Sequence, residues 1–252
     1  MARNREDERY GSLPWFESAY GKVPDDPWGL TWRATQQHRY LRLLRMLSRI
    51  PRDVRNVLDI GCATGDFTHL LARHIKNADE VVGVDFANAA IQRARGRFPE
   101  LDFREASILT VGAEFGGRFD LAACLELLYY VPAHERGAAL RSVKKALRPD
   151  GYAVFSSLVG GSPYFGKTDL LALVGTEFTL VEHEVLHLRF VSAVERIGQR
   201  VQKALPPWLI DPDRPRMRLG RLPLPAVDNL ERWSRRLGST TESHTLVLGK
   251  AT

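Results

Sequence analysis

Apolar residues in the middle of the chain recur with two alternating periods. Short apolar runs, each about the length of a β-strand, occur at residues 56–61, 80–86, 101–107, 119–128 and 151–160. Segments between them space their apolar residues as amphipathic helices do, at residues 66–75, 87–98 and 134–148. Strands that alternate with helices of this length predict an α/β fold, in which a doubly wound, mostly parallel sheet has helices on both faces.

The two ends of the chain depart from this alternation. Residues 1–30 are polar and aromatic, contain three prolines, and predict an irregular cap, which an amphipathic helix over residues 35–49 follows. Beyond residue 160, the pattern predicts a helix, a strand, a helix and a seventh and last strand, at residues 169–175, 177–188, 191–205 and 244–251. The Pro-rich residues 206–225 predict irregular structure.

These patterns divide the chain into four parts. Residues 1–50 are the N-terminal cap and helix, residues 51–188 the core, and residues 241–252 the last core strand. Residues 189–240 are a basic, Pro-rich insertion that we expect to cover the mouth of the functional site.

Composition excludes several classes of protein. The chain has 252 residues, of which 44% are hydrophobic, as in ordinary soluble domains. No apolar run approaches the ~18 residues of a membrane-spanning helix. The charged N-terminus is not followed by the apolar segment of a signal peptide, so we predict none. Only Cys62 and Cys124 are cysteines, and no Cys/His spacing fits a metal site, so we expect a cytoplasmic protein without a disulfide framework or metal.

The net charge of +6 is concentrated in the insertion. Eight basic and three acidic residues lie between Arg189 and Leu222. Such a segment can bind phosphate, nucleic acid or anionic lipid, and it is equally compatible with a solvated basic face.

The sequence VLDIGCATG at residues 57–65 has the most chemical content. An apolar strand runs into Asp59, a glycine-containing turn follows, and a helix begins near Asp66. Ligands of doubly wound sheets bind at the carboxyl end of such a strand, beside the free N–H groups of the helix N-terminus. Gly61 and Gly65 would let the backbone approach that ligand closely.

A second acid follows at the end of the next strand. The sequence VVGVDF places Asp85 24 residues after Gly61. An acid at about this distance accepts ribose hydroxyl groups in a Rossmann-type site. Phe86 is then placed to lie against an adenine ring.

The two motifs together resemble those of the class I S-adenosylmethionine (SAM)-dependent methyltransferases, whose first motif has the form D/E-x-G-x-G-x-G. Here Ala63 stands in place of the middle glycine. The resemblance implies a Rossmann-like fold, SAM as the methyl donor and S-adenosylhomocysteine (SAH) as the product. It also implies that SAM is bound by the first-motif residues Asp59, Gly61, Cys62, Ala63 and Gly65.

Two further segments match this family. Residues 118–131 resemble the fourth strand and the following loop, which borders the transferred methyl group and includes Leu125. Residues 147–156 resemble the family's L-x-P-G-G-x-L turn, with Asp150 in place of the first glycine. Where the family often has an acid that binds the adenine amino group, this chain has Ser107 and Ile108 as cofactor-binding candidates.

Residues 26–28 (DPW) and 126–130 (ELLYY) are similar to segments of the NodS-like branch. That branch is named for a nodulation N-methyltransferase that methylates the amine of a de-N-acetylated chitooligosaccharide. The resemblance implies that Trp28, Tyr129 and Tyr130 bind the substrate. Plain core packing is the alternative for each of these rings.

Glu126 and His187 are the candidate catalytic residues. Glu126 follows the fourth strand, where the methyl acceptor should lie, and we predict that it orients an amine or hydroxyl or takes its proton. His187 is a second candidate base because histidine titrates near neutral pH. A structural ion pair for Glu126 and a structural hydrogen bond for His187 are the alternatives.

Three functions are open at this stage. The preferred one is transfer of a methyl group from SAM to an amine or hydroxyl of a small molecule, with N-methylation of a carbohydrate or sugar nucleotide as the best candidate. The basic insertion also suits an RNA or protein methyltransferase, although the chain has no N-P-P-Y-like loop and no recognised RNA-binding module. The third is a SAM-binding protein without catalysis. These patterns do not determine the oligomeric state.

Overall fold

The computed structural model describes residues 11–22, 26, 28–50, 53–166, 168–204 and 222–252. Its strands are β1 (Asn56–Ile60), β2 (Glu80–Asp85), β3 (Asp102–Glu105), β4 (Phe119–Leu125), β5 (Leu147–Leu158), β6 (Phe178–Leu186) and β7 (His244–Ala251). They form one sheet in the order β3-β2-β1-β4-β5-β7-β6. Neighbours among β1 to β5 pair in parallel, and β7 is antiparallel to β5 and β6. The predicted seven-stranded, mostly parallel sheet is confirmed.

Helices connect the strands and flank the sheet. In the described ranges they are α1 (Leu13–Lys22), α2 (Ala34–Leu47), α3 (Asp66–His74), α4 (Asn88–Arg97), α5 (Val111–Phe115), α6 (Arg136–Ala146), α7 (Asp169–Val174), α8 (Arg189–Ala204) and α9 (Leu224–Arg235). None of these helices is long and apolar enough to cross a lipid bilayer.

Both faces of the sheet are buried. Val57 of β1 packs in a cluster that contains Leu43 of α2, whereas the next residue, Leu58, packs in a cluster that contains Leu140 of α6. Because successive side chains of a strand point to opposite faces, the two clusters lie on the two sides of the sheet. This is why the strands are nearly continuous apolar runs rather than alternating ones.

The N-terminal segment is more regular than the irregular cap that we predicted over residues 1–30. Helix α1 spans Leu13–Lys22, and Pro14 is its second residue. Proline is tolerated there because the N–H that it lacks would have no partner inside the helix. Phe16 and Tyr20, one turn apart, bury one face of α1.

The insertion contains a helix that the sequence patterns did not predict. Helix α9 begins at Leu224, inside the stretch expected to be irregular, with a proline in its first turn. Val227 of α9 is fully buried in the cluster shared with α2, so packing stabilises this helix. Residues 205–221, which include most of the Pro-rich stretch, lie outside the described residues. The four-part division of the chain stays a prediction.

Gly83, in β2, lies against the ring of Phe103, and this contact leaves no room for a side chain. A Cβ atom at Gly83 would lie 2.6 Å from Cδ1 of Phe103. We expect Gly83→Ala to lower the free energy of unfolding in urea by about 1–3 kcal/mol, the usual effect of overpacking a core. Gly96→Ala is the matched control, because Gly96 is an exposed residue of α4 and no atom lies within 4 Å of the added Cβ. It should raise that free energy by about 0.5–1 kcal/mol, and equal effects of the two changes would contradict the packing described.

Candidate active site

A cavity of about 450 Å³ lies at the carboxyl ends of β1, β2 and β4. Asp59, Asp85 and Leu125 from these three strands all line it. Since β2 lies on one side of β1 and β4 on the other, the cavity is at the point where the strand order reverses.

The glycine-containing loop after β1 is fastened to the end of β2. The N–H groups of Gly61 and Cys62 donate to the carbonyl oxygen of Val84 at 2.8 and 2.9 Å. Gly61 and Ala63 have φ angles of 76° and 51°, in the left-handed region that favours glycine. The alanine that replaces the middle glycine thus takes up a glycine-like backbone, at a cost of about 1 kcal/mol.

Asp85 joins this loop to the start of α4. Its Oδ2 accepts a hydrogen bond from the Ala63 N–H at 3.0 Å, and its Oδ1 accepts one from the Ala87 N–H at 3.0 Å. Burial raises the pKa of Asp85 to about 6 and outweighs these hydrogen bonds. Each oxygen retains a lone pair that a ligand hydroxyl can use.

Asp59 is buried more completely and makes fewer hydrogen bonds. Its Oδ2 accepts a hydrogen bond from Oγ1 of Thr68 at 2.7 Å. Burial raises the pKa of Asp59 to about 7. A cationic ligand in the cavity would favour the ionised form of both acids.

Most of the predicted cofactor-binding residues meet at one end of the cavity. Lining it there are Asp59, Gly61, Cys62, Ala63, Asp85, Phe86 and Leu125. We call this part of the cavity the glycine-loop end.

Gly65, Ser107 and Ile108 are not among the residues that line the cavity. Gly65, with a φ of 81°, precedes the first residue of α3, and a Cβ there would lie 2.7 Å from the Phe103 ring. The Oγ of Ser107 accepts a hydrogen bond from the Leu109 N–H at 3.2 Å, and Ile108 is buried in the core. The turn from β3 into α5 accounts for the positions of Ser107 and Ile108, and cofactor binding by Gly65, Ser107 and Ile108 stays a prediction.

Aromatic rings from the N-terminal segment cover the glycine-loop end. The indole N–H of Trp28 donates to the hydroxyl of Tyr20 at 2.9 Å, and both rings line the cavity. Phe16 packs edge-on against Phe86, with ring centroids 5.2 Å apart. The Asp26 carboxylate accepts hydrogen bonds from the N–H groups of residues 30 and 31, which fixes the turn that carries Trp28.

Tyr129 and Tyr130 both line the cavity. Their ring centroids are 4.5 Å apart, and Tyr164 packs against Tyr129 at 5.1 Å. The structure therefore brings all three predicted substrate-binding rings, Trp28 included, to one cavity.

Glu126 lies at the far side of the cavity with a left-handed φ of 54°. Its Oε1 accepts a hydrogen bond from Oγ of Ser156 at 2.8 Å and lies 2.6 Å from Nη1 of Arg39. Its Oε2 accepts one from the Leu158 N–H at 3.1 Å. Burial alone would raise the pKa of Glu126, but the charge of Arg39, His244 and the hydrogen bonds to the carboxylate together outweigh burial and hold that pKa below its ordinary value. A carboxylate so stabilised is a weak proton acceptor, which favours the structural interpretation over the catalytic one.

His187 is not among the residues that line the cavity. Its ring Nδ1 lies 2.9 Å from Oγ1 of Thr241, and its backbone N–H donates to Glu231 at 3.5 Å. His187 lies between β6 and α8, and these contacts join it to α9 and to the segment before β7. The geometry supports a structural role for His187 and gives it no place beside a substrate.

Sequence reasoning singled out Glu126 but missed the other polar residues opposite the glycine loop. We call this region the arginine end of the cavity, and it is lined by Arg33, Gln36, Arg39, Glu126, Ser192, Arg196 and His244. These residues come from α2 and its N-terminus, the loop after β4, α8 and the start of β7. The one available signal was a set of polar residues, His38 and Arg39, on the buried side of an amphipathic helix.

His244 is the buried histidine of the arginine end. Burial lowers its pKa to about 4, so the imidazole is neutral at pH 7. Its Nδ1 lies 3.0 Å from Oγ of Ser243, while Nε2 has no hydrogen bond to a described residue. A neutral imidazole here can accept a hydrogen bond from a bound ligand.

The raised pKa of Asp59 predicts a pH dependence of stability. The pKa is about 7 when folded and 3.8 in the reference state, so the folded protein binds this proton more tightly. The stability from Asp59 is full below about pH 4 and is lost as the pH rises to about 7. We expect Asp59→Asn to remove this loss, so its unfolding free energy relative to the wild type should rise by on the order of 2–4 kcal/mol across that window. Urea titrations of the ligand-free proteins at several pH values measure this difference, and a difference independent of pH would contradict the assignment.

Comparisons with known proteins agree with the geometry of the glycine-loop end. The sequence matches the family Nodulation protein S (NodS) over residues 22–162, more than half of the chain. Nodulation protein S of Bradyrhizobium diazoefficiens is 35% identical over 137 residues, which are 53% of this chain and 63% of that protein. The Ubiquinone biosynthesis O-methyltransferase of Albidiferax ferrireducens is 31% identical over 153 residues, which are 59% of this chain and 57% of that protein. The chain thus matches about three fifths of the length of these relatives.

The fold has a close counterpart among solved structures. The crystal structure of the N-methyltransferase NodS from Bradyrhizobium japonicum WM9, in complex with S-adenosyl-L-homocysteine, superposes with a TM-score of 0.62. The alignment has 22% identity and covers 95% of this chain and 97% of that chain. The sequence match and the shared fold confirm the resemblance drawn from the motifs: the chain belongs to the NodS family and has the Rossmann-like fold of the class I methyltransferases.

Proposed function

We propose that this protein is a SAM-dependent methyltransferase that acts on an amine or hydroxyl group of a small molecule. One observation carries the proposal: the glycine-loop end and the arginine end form a single cavity at the switch point of the sheet. A cofactor and an acceptor can therefore meet inside one enclosed space. Proximity of this kind supplies a large part of the rate acceleration of a two-substrate reaction.

The residues of the glycine-loop end fit SAM. Gly61 lines the cavity with its backbone alone, and a Cβ there would lie 3.3 Å from the Leu127 side chain. Asp85 has lone pairs left for ribose hydroxyls, and Phe86 offers a ring to the adenine. SAM, when bound, supplies a methyl group on a positively charged sulfur, and the protein supplies orientation and exclusion of water.

The arginine end fits the acceptor. The nucleophile must be neutral when it attacks, and it gives up a proton as the methyl group is transferred. We assign the hydrogen bond that orients the nucleophile to Nε2 of His244. The released proton passes to water, because an imidazole with a pKa of about 4 is a weak proton acceptor. Glu126 is a positioning residue, because its oxygens hold Arg39, Ser156 and the Leu158 N–H.

A sugar or sugar-like amine is our best candidate for the acceptor. Trp28, Tyr129 and Tyr130 offer flat faces and hydroxyl groups beside the cofactor end, a combination suited to a sugar ring. The structural counterpart named above is an N-methyltransferase, and one sequence relative is an O-methyltransferase. Both nucleophiles therefore belong in an acceptor screen.

The described part of the basic insertion favours a small molecule over RNA or protein. Nε of Arg189 donates to the carbonyl oxygen of Glu242 at 2.5 Å, and Arg196 lines the cavity. Both side chains are exposed, but Arg189 is tied to the backbone and Arg196 borders the cavity, where a small acceptor could reach it. The arginines of residues 205–221 lie outside the described residues.

Binding of SAM and SAH to wild type and Asp85→Ala tests the cofactor site. We expect micromolar binding by the wild type and a loss of about 10–100-fold in Asp85→Ala, since hydrogen bonds to a charged group are removed. Isothermal titration calorimetry measures both ligands, with circular dichroism as the check of folding. Asp79→Ala, an exposed acid before β2, is the control and should bind as the wild type does. Failure of the folded wild type to bind either ligand would overturn the proposal.

Replacement of His244 tests its assigned role. Once a screen of amino sugars and sugar nucleotides has found an acceptor, we expect His244→Asn to lower kcat about 5–10-fold, because an orienting hydrogen bond worth about 1 kcal/mol is disturbed. His183→Asn, in β6 and outside this cavity, is the matched control. An unchanged kcat in His244→Asn would remove the histidine from the mechanism. Tight SAM binding without turnover of any amine or hydroxyl acceptor would favour the non-catalytic alternative.

A further inference from the structure

Ser243 and His244 lie side by side between the protein interior and the cavity. His244 is the first residue of β7 and lines the arginine end, whereas Ser243 precedes it and is not among the lining residues. Both residues are buried, and Nδ1 of His244 lies 3.0 Å from Oγ of Ser243. A neutral imidazole carries one N–H, so the contact at Nδ1 determines whether Nε2 is a donor or an acceptor.

The hydroxyl group of Ser243 has two backbone partners. The N–H of Leu188, which can only donate, donates to Oγ at 3.0 Å. The carbonyl oxygen of Leu186, which can only accept, lies 2.9 Å from Oγ and receives the single hydrogen of the hydroxyl. Oγ therefore has a lone pair for His244 but no hydrogen to give it.

The opposite arrangement would place two oxygens in contact without a hydrogen. If the Ser243 hydroxyl donated to Nδ1, its Oγ would still lie 2.9 Å from the carbonyl oxygen of Leu186. Two oxygens with partial negative charges repel each other at this distance. The proton of the imidazole is therefore on Nδ1, where it is donated to Oγ.

Backbone hydrogen bonds hold Ser243 in place on both sides. Its N–H donates to the carbonyl oxygen of Leu186 at 2.7 Å, and its own carbonyl oxygen accepts from the N–H of Val159 at 2.8 Å. Leu186 ends β6 and Val159 follows β5, so Ser243 is bound to the segments next to both neighbours of β7. The hydroxyl is thus oriented before any ligand binds, which is the preorganisation that a positioning residue needs.

With Nδ1 protonated, Nε2 presents a lone pair at the arginine end. It makes no hydrogen bond to a described residue. The nearby carboxylate of Glu126 accepts its hydrogen bonds from Ser156 and from the Leu158 N–H, so it is not the partner of Nε2. A ligand that approaches Nε2 meets an acceptor and has to supply the hydrogen itself.

We propose that Ser243 is a positioning residue that holds His244 as the Nδ1–H tautomer, so that the site selects nucleophiles that still carry a hydrogen. This inference rests on the proposed function and narrows its acceptors to hydroxyl groups and to primary and secondary amines. Such a group donates its N–H or O–H to Nε2 while its lone pair points to the methyl group. A tertiary amine has no hydrogen to donate and leaves the lone pair of Nε2 unpaired, which disfavours it.

The transfer step balances without a further reactant. The lone pair of the nucleophile forms the bond to the methyl carbon, and the electrons of the broken carbon–sulfur bond stay on sulfur to give SAH. The hydrogen that oriented the nucleophile then leaves as a proton to water. Methylation of an amine should accordingly stop at the tertiary amine and not continue to a quaternary ammonium product.

Nitrogen-15 NMR of the imidazole reads the tautomer directly, in ligand-free and in SAH-saturated protein. His244→Asn assigns the signals among the seven histidines. We expect a pyrrole-type Nδ1 and a pyridine-type Nε2 in the wild type and in Ser243→Thr, which keeps the hydroxyl. In Ser243→Ala both nitrogens should move to intermediate shifts, because neither tautomer is then held. Ser239→Ala, at an exposed serine of the segment before β7, is the matched control and should leave the spectrum unchanged.

A pyridine-type Nδ1 in the wild type would overturn the inference, and so would a wild-type spectrum in Ser243→Ala. The wild-type spectrum decides the tautomer even if the Ser243 variants do not fold.

The selection is measured with N-methyl and N,N-dimethyl forms of the acceptor that the screen finds, or of the amine that replaces its hydroxyl. We expect the wild type to methylate the secondary amine at least about tenfold faster than the tertiary one, with the products identified by mass spectrometry. Ser243→Ala should lower kcat for the secondary amine about 2–5-fold and leave the tertiary amine and the affinity for SAH unchanged. Selection by steric exclusion alone would leave the ratio of the two rates the same in Ser243→Ala.

Equal rates for the two amines, or a ratio that Ser243→Ala does not change, would overturn the inference. Failure to bind SAH or to methylate any acceptor would instead be a failure of the proposed function, and the NMR spectrum would still decide the tautomer.

Discussion

The buried ion pair between Arg39 and Glu126 is the interaction on which the functional cavity depends. It joins α2, which precedes the sheet in sequence, to the loop after β4, whose backbone takes up a left-handed conformation at Glu126. Neither charge would be tolerated alone at this depth, because an unpaired buried ion is very costly to desolvate. The pair therefore fixes α2 across the carboxyl ends of the strands, and α2 in turn supplies one wall of the cavity.

Burial tends to raise the pKa values of three carboxylates in this cavity, and the groups beside each carboxylate determine whether its pKa is finally raised or lowered. Asp59 and Asp85 accept hydrogen bonds from neutral donors, and burial raises their pKa values to about 7 and about 6. Glu126 is also largely enclosed, yet its neighbours, above all the guanidinium of Arg39, hold its pKa below the ordinary value. The glycine-loop end is thus ready to accept a cationic ligand, which would restore the ionised state of both acids. The arginine end already has its carboxylate ionised beside Arg39.

This division bears on the place of the chain within its family. The NodS sequence match concerns the cofactor half of the molecule, since residues 22–162 include the glycine loop, Asp85 and the loop after β4. The fold, by contrast, is shared over 95% of the chain. Arg196 and His244 lie beyond the matched segment. Members that share a cofactor site can differ in their acceptors through such segments, because specificity depends on the contacts that the acceptor alone makes.

The sequence by itself determined the sheet, most of its helices and the cofactor motif, because these are local patterns. Apolar runs separated by amphipathic helices specify strands and crossovers. The loop GCATG and Asp85 indicate a ligand site in any doubly wound sheet, because both lie at the carboxyl ends of neighbouring strands. Prolines led to two wrong predictions of irregular structure. Pro14 lies in the first turn of α1, and α9 forms in the Pro-rich stretch because it packs on α2. Only the tertiary structure decided the contents of the arginine end. Arg39, Arg196 and His244 are far apart in the chain, and the burial and charge that set their chemistry come from neighbours that the fold alone brings together.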